Sequence, residues 1–208
     1  MPPRPNLSDD ERSARRQEIL AAAERLYGHG EAALPSVAAI AVEAGLAKGT
    51  VYLYFATKEE IFLALMEVRL EGLIRVVGES LAGGAQDWRA RFIAAYVGEL
   101  AAHPGFLRLA AIGNTVIERN LAVEVGTAFK QRLAAMLTEA GAGVAAVCGC
   151  SADEGARRLM QTYALSIGLW QMLDWPPTLA AVLHRPELAV LRRDFEAELK
   201  DMLERLWA

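Results

Sequence analysis

Lys48, Gly49, Thr50 and Tyr52 are residue types that suit the edge of a nucleic-acid groove. Lys48 can donate to guanine O6 and N7, Thr50 can touch thymine or phosphate with its methyl or hydroxyl, and Gly49 allows close backbone approach. Tyr52 can set its ring edge on a thymine methyl or donate its hydroxyl to phosphate. Lys58 falls in the first turn of an expected helix, where a cation opposes the helix dipole unless an anion stands opposite, and a phosphate supplies one. Ser36 follows Pro35 as the expected cap of another helix and can also reach phosphate.

These side chains need a frame, and the spacing around them is that of a helix-turn-helix. Ala41 is small where two helices would cross, Gly45 permits a left-handed turn four residues later, and Val51 packs back against the first helix. A short helix from Ser36 to Gly45 and a second from about 47 to 53 follow. An amphipathic helix near 8–28, with Arg12, Arg15 and Arg16 in its first turns, precedes them. Arg15 and Arg16 can face phosphate or simply solvent. In a helix-turn-helix the first residues of the second helix meet base edges, which places Lys48, Gly49 and Thr50 there.

Three capping boxes announce further helix starts: Ser8-Asp-Asp-Glu11, Thr57-Lys-Glu-Glu60 and Ser151-Ala-Asp-Glu154. In each the hydroxyl can accept from an orphan N–H while the carboxylate returns to the cap's own N–H. The expected helices run near 8–28, 57–82, 87–102, 105–111, 114–140 and 152–174, the 114–140 helix ending in Gly141-Ala-Gly143. The last spans 187–206, with Leu188, Leu191, Phe195, Leu199, Met202 and Leu206 three or four apart. No alternating strand appears, so the expected class is all-α. A three-helix head over 1–60 precedes a larger helical domain over 61–208.

The 208 residues carry 22 Lys+Arg against 26 Asp+Glu, a net charge of −4, and are 53% hydrophobic. That excludes a mainly disordered chain and allows a core without disulfides or metal. Residues 1–58 are charge-neutral and the acidic excess lies beyond them, so a basic face on the head is compatible with the acidic total. The N-terminus lacks the apolar stretch of a signal peptide, and no run of about 18 apolar residues suggests a membrane span. Cys148 and Cys150 are expected to be free thiols in a reducing cytoplasm, since no nearby His completes a zinc set. Neither metal nor cofactor is expected. The Pro-rich first six residues read as a disordered arm.

Ile40-Ala41, Ala44-Gly45-Leu46, Gly49-Thr50-Val51-Tyr52, Tyr54-Phe55 and Lys58-Glu59-Glu60 together resemble the signature of the TetR family of transcriptional regulators. The resemblance covers residues 8 to about 66; beyond that only helix count, length and acidity match. One departure is Ala47, where many members place Ser or Thr to cap the recognition helix. The resemblance implies that Tyr54 and Lys58 contact phosphate, and that a C-terminal domain binds a small effector and dimerises. Phe55 reads as core. Tyr52 and Tyr54 can be core aromatics, but a head this small has little room to bury every ring, so at least one hydroxyl is expected to face DNA.

The 152–174 helix is apolar around much of its circumference and must be covered on several sides. Ala164 and Gly168 allow close approach, so this helix and the one at 187–206 are expected to form a homodimer interface, the alternative being burial of both within a monomer. Candidate effector-pocket residues are Phe92, Tyr96, Asn114, Glu118, Tyr163 and Trp170, with Asn114 expected as a buried amide needing a partner. His103 before Pro104 reads as a helix end. The three histidines, His29, His103 and His184, adjoin no nucleophile motif, and there is no Gly-rich phosphate loop, so catalysis has no support. The expected function is therefore a homodimeric repressor that reads a palindromic operator in double-stranded DNA and responds to an apolar effector. A helical ligand-binding module without DNA binding is the alternative.

Overall fold

The structure, a computed structural model, describes residues 8–28, 33–180 and 182–208. The first six residues and His29 lie outside these. Among the described residues every regular element is helical. The α-helices are α1 (Asp9–Gly28), α2 (Val37–Glu43), α3 (Lys48–Val51), α4 (Lys58–Ala82), α5 (Trp88–Ala102), α6 (Phe106–Ile112), α7 (Val123–Cys148), α8 (Ala152–Leu173), α9 (Pro177–Ala180) and α10 (Phe195–Leu206). No single helix among the described residues is long and apolar enough to cross a membrane.

The three hydroxyl caps form, but only one box closes as the spacing predicts. Ser8 Oγ accepts from Glu11 N–H at 3.2 Å, and Glu11 accepts from Ser8 N–H at 2.7 Å. Glu60 accepts instead from Ala56 N–H at 2.9 Å. Glu154 turns outward to Arg157 and Arg158, because a charged guanidinium within one helical turn outcompetes a neutral N–H for a carboxylate.

α4 organises the molecule. Its residues 61 to 66 are all buried, which requires neighbours on every side, and α1, α5, α6 and α7 supply them. This helix passes unbroken from the head into the larger domain.

Two expected helices differ from observation. The 114–140 helix begins later and ends later: Gly113–Ile117 is a π-helical turn and Glu118–Asn120 a 3-10 turn, after which α7 starts at Val123 and runs on to Cys148. Gly141 does not stop α7 because it serves packing. A Cβ there would lie 2.6 Å from the Ala152 carbonyl oxygen, and one on Gly155 would lie 2.4 Å from the Gly141 oxygen. The two glycines let α7 and α8 touch backbone to backbone, and Gly149, at φ +71, ends the helix. The 187–206 helix is broken. Pro186–Leu191 is 3-10, Leu191 is exposed, and α10 starts only after Asp194, whose carboxylate caps it by accepting from Ala197 N–H at 2.8 Å. An aspartate inside an apolar repeat restarts the helix, because its side chain satisfies an orphan N–H better than a helical turn does.

α10 folds back on α5 and α8. Leu199, Leu203 and Trp207 are fully buried. The Trp207 ring meets Trp88 and Phe92 edge-on at 5.5 and 5.1 Å, and its indole N–H donates to Thr162 Oγ1 at 2.9 Å.

Candidate nucleic-acid interface and interior cavity

The head is built on a closed core of Ile19, Ala23, Ile40, Val51 and Phe62, each fully buried. Ser36 Oγ accepts from Ala39 N–H at 3.2 Å and starts α2. Gly45, at φ +67, ends it: Leu46 N–H donates to Ala41 C=O at 2.8 Å and Gly45 N–H to Val42 C=O at 3.0 Å. That is the Schellman closure, which needs a residue tolerant of positive φ at Gly45. Arg25 reaches across from α1 to Glu43 at 2.6 Å and holds the far end of α2.

α3 is a single turn. Ala47 caps it without a side-chain hydrogen bond, so the first N–H groups of α3 receive no protein side-chain partner there. Lys48 and Gly49 are exposed, and a methyl on Gly49 would meet nothing within 4 Å. Thr50 is half-buried and Val51 points inward. Tyr52 is 46% exposed with the Lys48 ammonium 5.8 Å from its ring centre. Tyr54 is half-buried against the core, and Phe55 is buried beneath the Arg16 guanidinium at 5.4 Å. The three aromatics thus grade from outside to inside. Lys58 is half-buried in the first turn of α4, behind the Thr57 cap. The seven residues expected to touch nucleic acid therefore stand at the starts of α2, α3 and α4 and in the α3–α4 turn. Arg15 is paired with Glu18 at 2.7 Å. Sequence reasoning missed Val42 and Leu53, 81% and 67% exposed at the ends of α2 and α3; two apolar residues at the outward phase of short helices were the available signal.

Head and body meet through a polar joint. Arg69 of α4 donates to Glu24 of α1 and, at 3.0 Å, pairs with Nε2 of His103. Nδ1 of His103 lies 3.3 Å from Glu24. Nε2 of His103 also lies 3.7 Å from Glu99 of α5, so the imidazole joins all three side chains. His103 is the C-terminal cap of α5, as its place before Pro104 suggests. Arg108 of α6 donates to the Tyr27 carbonyl near the end of α1, with its guanidinium 4.4 Å from the Tyr27 ring centre. A cation there complements the negative end of the helix dipole.

The body holds a cavity of about 410 Å³ between α4, α7, α8 and the π-helical turn, open to solvent where the exposed Asn114, Lys130 and Met160 line it. Met66, Leu70, Leu73, Ile74 and Val77 line one side, Phe129, Leu133 and Leu137 another, and Leu159, Tyr163 and Ile167 a third. Four of the six expected pocket residues meet on this wall: Tyr96, Asn114, Glu118 and Tyr163. Phe92 does not; it belongs to the aromatic cluster around Trp207. Trp170 lines a different pocket of about 290 Å³ beside Leu173 and Phe195. Asn114 reaches the cavity but is exposed, not the buried amide expected, because the π turn carries it to the rim. Tyr96 donates or accepts at Ser166 Oγ, 3.2 Å away, and burial pushes its pKa up to about 12. Burial, reinforced by the nearby Tyr96 and Glu118, also raises that of Tyr163. Glu118 pairs with Lys130 at 2.7 Å. Sequence reasoning missed the α4 and α7 walls, whose only signal was an apolar arc too wide for one neighbour, and the pair of buried Glu67 with Arg132 that ties α4 to α7.

Cys148 and Cys150 are free and half-buried, and burial raises the Cys148 thiol. Among the described residues no cluster of three or more His, Cys, Asp or Glu is placed to hold a metal.

Residues 19–65 match the family model for bacterial regulatory proteins of the tetR family, and residues 67–208 match that for the tetracyclin repressor-like C-terminal domain. An uncharacterized HTH-type transcriptional regulator of Bacillus subtilis (strain 168), YfiR, is 30% identical over 96 residues. That stretch is 46% of this chain and 45% of the relative, so the match spans just under half the relative's length. Among solved structures, the regulator FadR from Bacillus subtilis, in complex with stearoyl-CoA, aligns at TM-score 0.58 and 20% identity over 92% of this chain and 97% of that one. The fatty acid degradation regulator FadR from Bacillus halodurans aligns at TM-score 0.62 and 17% identity, with the same coverage of 92% and 97%. The TetR family regulator PfmR from Thermus thermophilus aligns at TM-score 0.57 and 18% identity over 91% and 96%. At these identities the structural likeness speaks for the fold.

Proposed function

The chain belongs to the TetR family of DNA-binding transcriptional regulators, and from that premise we propose that it is a ligand-responsive repressor that binds a palindromic operator as a homodimer in the cytoplasm. The observation that carries the DNA site is the exposed Lys48–Gly49 pair opening α3, with open space over Gly49 and Tyr52 beside it. In this reading Lys48, Gly49, Thr50 and Tyr52 address base edges, while Ser36, Tyr54 and Lys58 address phosphate. Residues 1–60 form the reading head and 61–208 the sensing and dimerising part, with α4 common to both.

A head of this size contacts few base pairs, and two heads about 34–36 Å apart enter successive major grooves. The outward face of α8 supports dimerisation. Met172 is 72% exposed and a Cβ on Gly168 would meet nothing within 4 Å; Met160, 58% exposed, and Ala164 carry this face on to the mouth of the cavity that they also line. α10 spends its apolar face inside its own protomer, so it joins a partner with its remaining edge. The effector occupies the 410 Å³ cavity, whose wall includes α4 and the turn that continues α6. Those elements also hold α1 through Arg69 and Arg108. An occupant that shifts α4 or α6 thereby re-aims the heads, and linkage requires operator DNA to weaken effector binding by the same factor.

The test is fluorescence-anisotropy titration of the intact protein with DNA flanking its own coding region. Lys48→Ala is expected to cost about 1–3 kcal/mol of operator affinity, and Tyr54→Phe a smaller share, with thermal midpoint and oligomeric mass unchanged. Affinity unaltered by both would remove the proposed contacts and leave a helical ligand-binding module.

A further inference from the structure

The wall of the large cavity carries more information than its position. We infer that its occupant is an uncharged amphiphile, an apolar chain or ring system ending in a hydroxyl or carbonyl that hydrogen-bonds Tyr163, and that the Glu118–Lys130 pair excludes charged analogues. This rests on reading the cavity as the effector site.

Most of the wall offers only dispersion contacts, from leucine, isoleucine, valine, methionine and phenylalanine side chains. Full charges reach it at one place, and there they cancel: Glu118 Oε1 and Lys130 Nζ are 2.7 Å apart. A ligand carboxylate would have to draw Lys130 from Glu118 and then sit beside that carboxylate; a ligand ammonium meets the converse problem. The Lys130 side chain is 51% exposed and that of Glu118 21%, so a displaced partner turns to water at the cavity mouth; a charged head gives up its own hydration and finds no unpaired counter-charge in return.

The neutral polar groups are mostly committed. The Tyr96 hydroxyl shares a hydrogen bond with Ser166. Thr162 Oγ1 donates to the Arg158 carbonyl and accepts from the Trp207 indole, each at 2.9 Å. That leaves the Tyr163 hydroxyl and the Asn114 amide, neither of which forms a side-chain hydrogen bond among the described residues. Tyr163, with its pKa raised, stays a neutral hydroxyl near pH 7 and can both donate and accept. The cavity of about 410 Å³ holds roughly a dozen non-hydrogen atoms at about 30 Å³ each, the size of a ten-carbon chain with one polar end.

The experiment is calorimetric titration of the intact protein at pH 7 with 1-decanol, decanoate and decylammonium. Decanol is expected to bind roughly three-fold to five-fold more tightly than either ion, and Tyr163→Phe to weaken decanol by about five-fold. Glu118→Gln frees Lys130 and should move the preference to decanoate; Lys130→Met frees Glu118 and should move it to decylammonium. Decanoate or decylammonium binding as tightly as decanol, a ranking unmoved by the charge variants in proteins of unchanged thermal midpoint, or no binding by any of the three would overturn the inference. Repeating the decanol titration with operator present separates the two readings. Decanol binding that ignores DNA leaves the ligand chemistry standing and sinks the cavity's role as an effector site.

Discussion

The head and the body solve opposite problems with the same helices. The head packs its interior shut and puts the groups proposed for recognition on its surface; Ile40 and Val51 are fully buried while Lys48 and Tyr52 face out. The body leaves a cavity inside and lines it with half-buried side chains such as Leu133 and Leu137. A surface that must match a rigid groove gains from a rigid support, whereas a site that must admit a guest cannot also be close-packed.

That contrast can be tested directly by truncating one side chain in each region. Ile40→Ala should cost about 3 kcal/mol in urea unfolding, because it opens a void in a closed core. Leu133→Ala, on a wall that already lacks neighbours on one side, should cost about 1 kcal/mol and accept a larger ligand. Equal costs would mean that the cavity closes in solution. The next effect in size belongs to the dense end of the body: Gly155→Ala sets a methyl against the Gly141 backbone and should lower stability by about 2–3 kcal/mol, with thermal unfolding as the check.

Gly45→Ala is the corresponding backbone test in the head. Its φ of +67 costs an L-residue about 1 kcal/mol, with open space around the new methyl; a larger loss of operator affinity than of stability would show that α3 had been re-aimed.

The smallest effect at neutral pH should come from Tyr96→Phe, since Ser166 keeps its bond to the Thr162 carbonyl. Its signature is alkaline. The folded pKa of Tyr96 is raised to about 12 from 10.0, so the fold favours the protonated phenol. That contribution is complete below pH 10 and is lost as pH rises towards 12, on the order of 2–3 kcal/mol. The phenylalanine variant should show a shallower alkaline decline in unfolding free energy; an identical decline would mean that Tyr96 is not held in a dry site.

How much of this was readable in advance divides along the same line. The head is written in consecutive residues: a cap at Ser36, a left-handed glycine at Gly45 and the outward and inward phases of a helical turn at Lys48 and Val51. Each is a local interaction, so a short window of sequence contains it. The cavity is assembled from helices that are remote in sequence. Tyr96 and Tyr163 were legible as amphipathic side chains, but nothing near Phe92 says that Trp207 will fold back and claim its ring. Leu133 could not be told from ordinary core. The broken 187–206 and 114–140 helices make the same point. A periodic apolar pattern continued across Asp194, and the glycines near 141 read as a stop, but capping at Asp194 and backbone contact at Gly155 outweighed the local pattern.

The unbroken course of α4 has a mechanical meaning. Its 25 residues make a rod of about 37 Å at about 1.5 Å per residue, with the cavity against its later turns and the head on its first. Pivoted at one end, such a rod turns a tilt of about 5° into a displacement of about 3 Å at the other. The cavity-lining residues Met66 to Val77 lie about 7 to 24 Å from a pivot at Ala82, so the same tilt moves the wall by about 0.7 to 2 Å. The distance between the two sites works as leverage and amplifies a small motion.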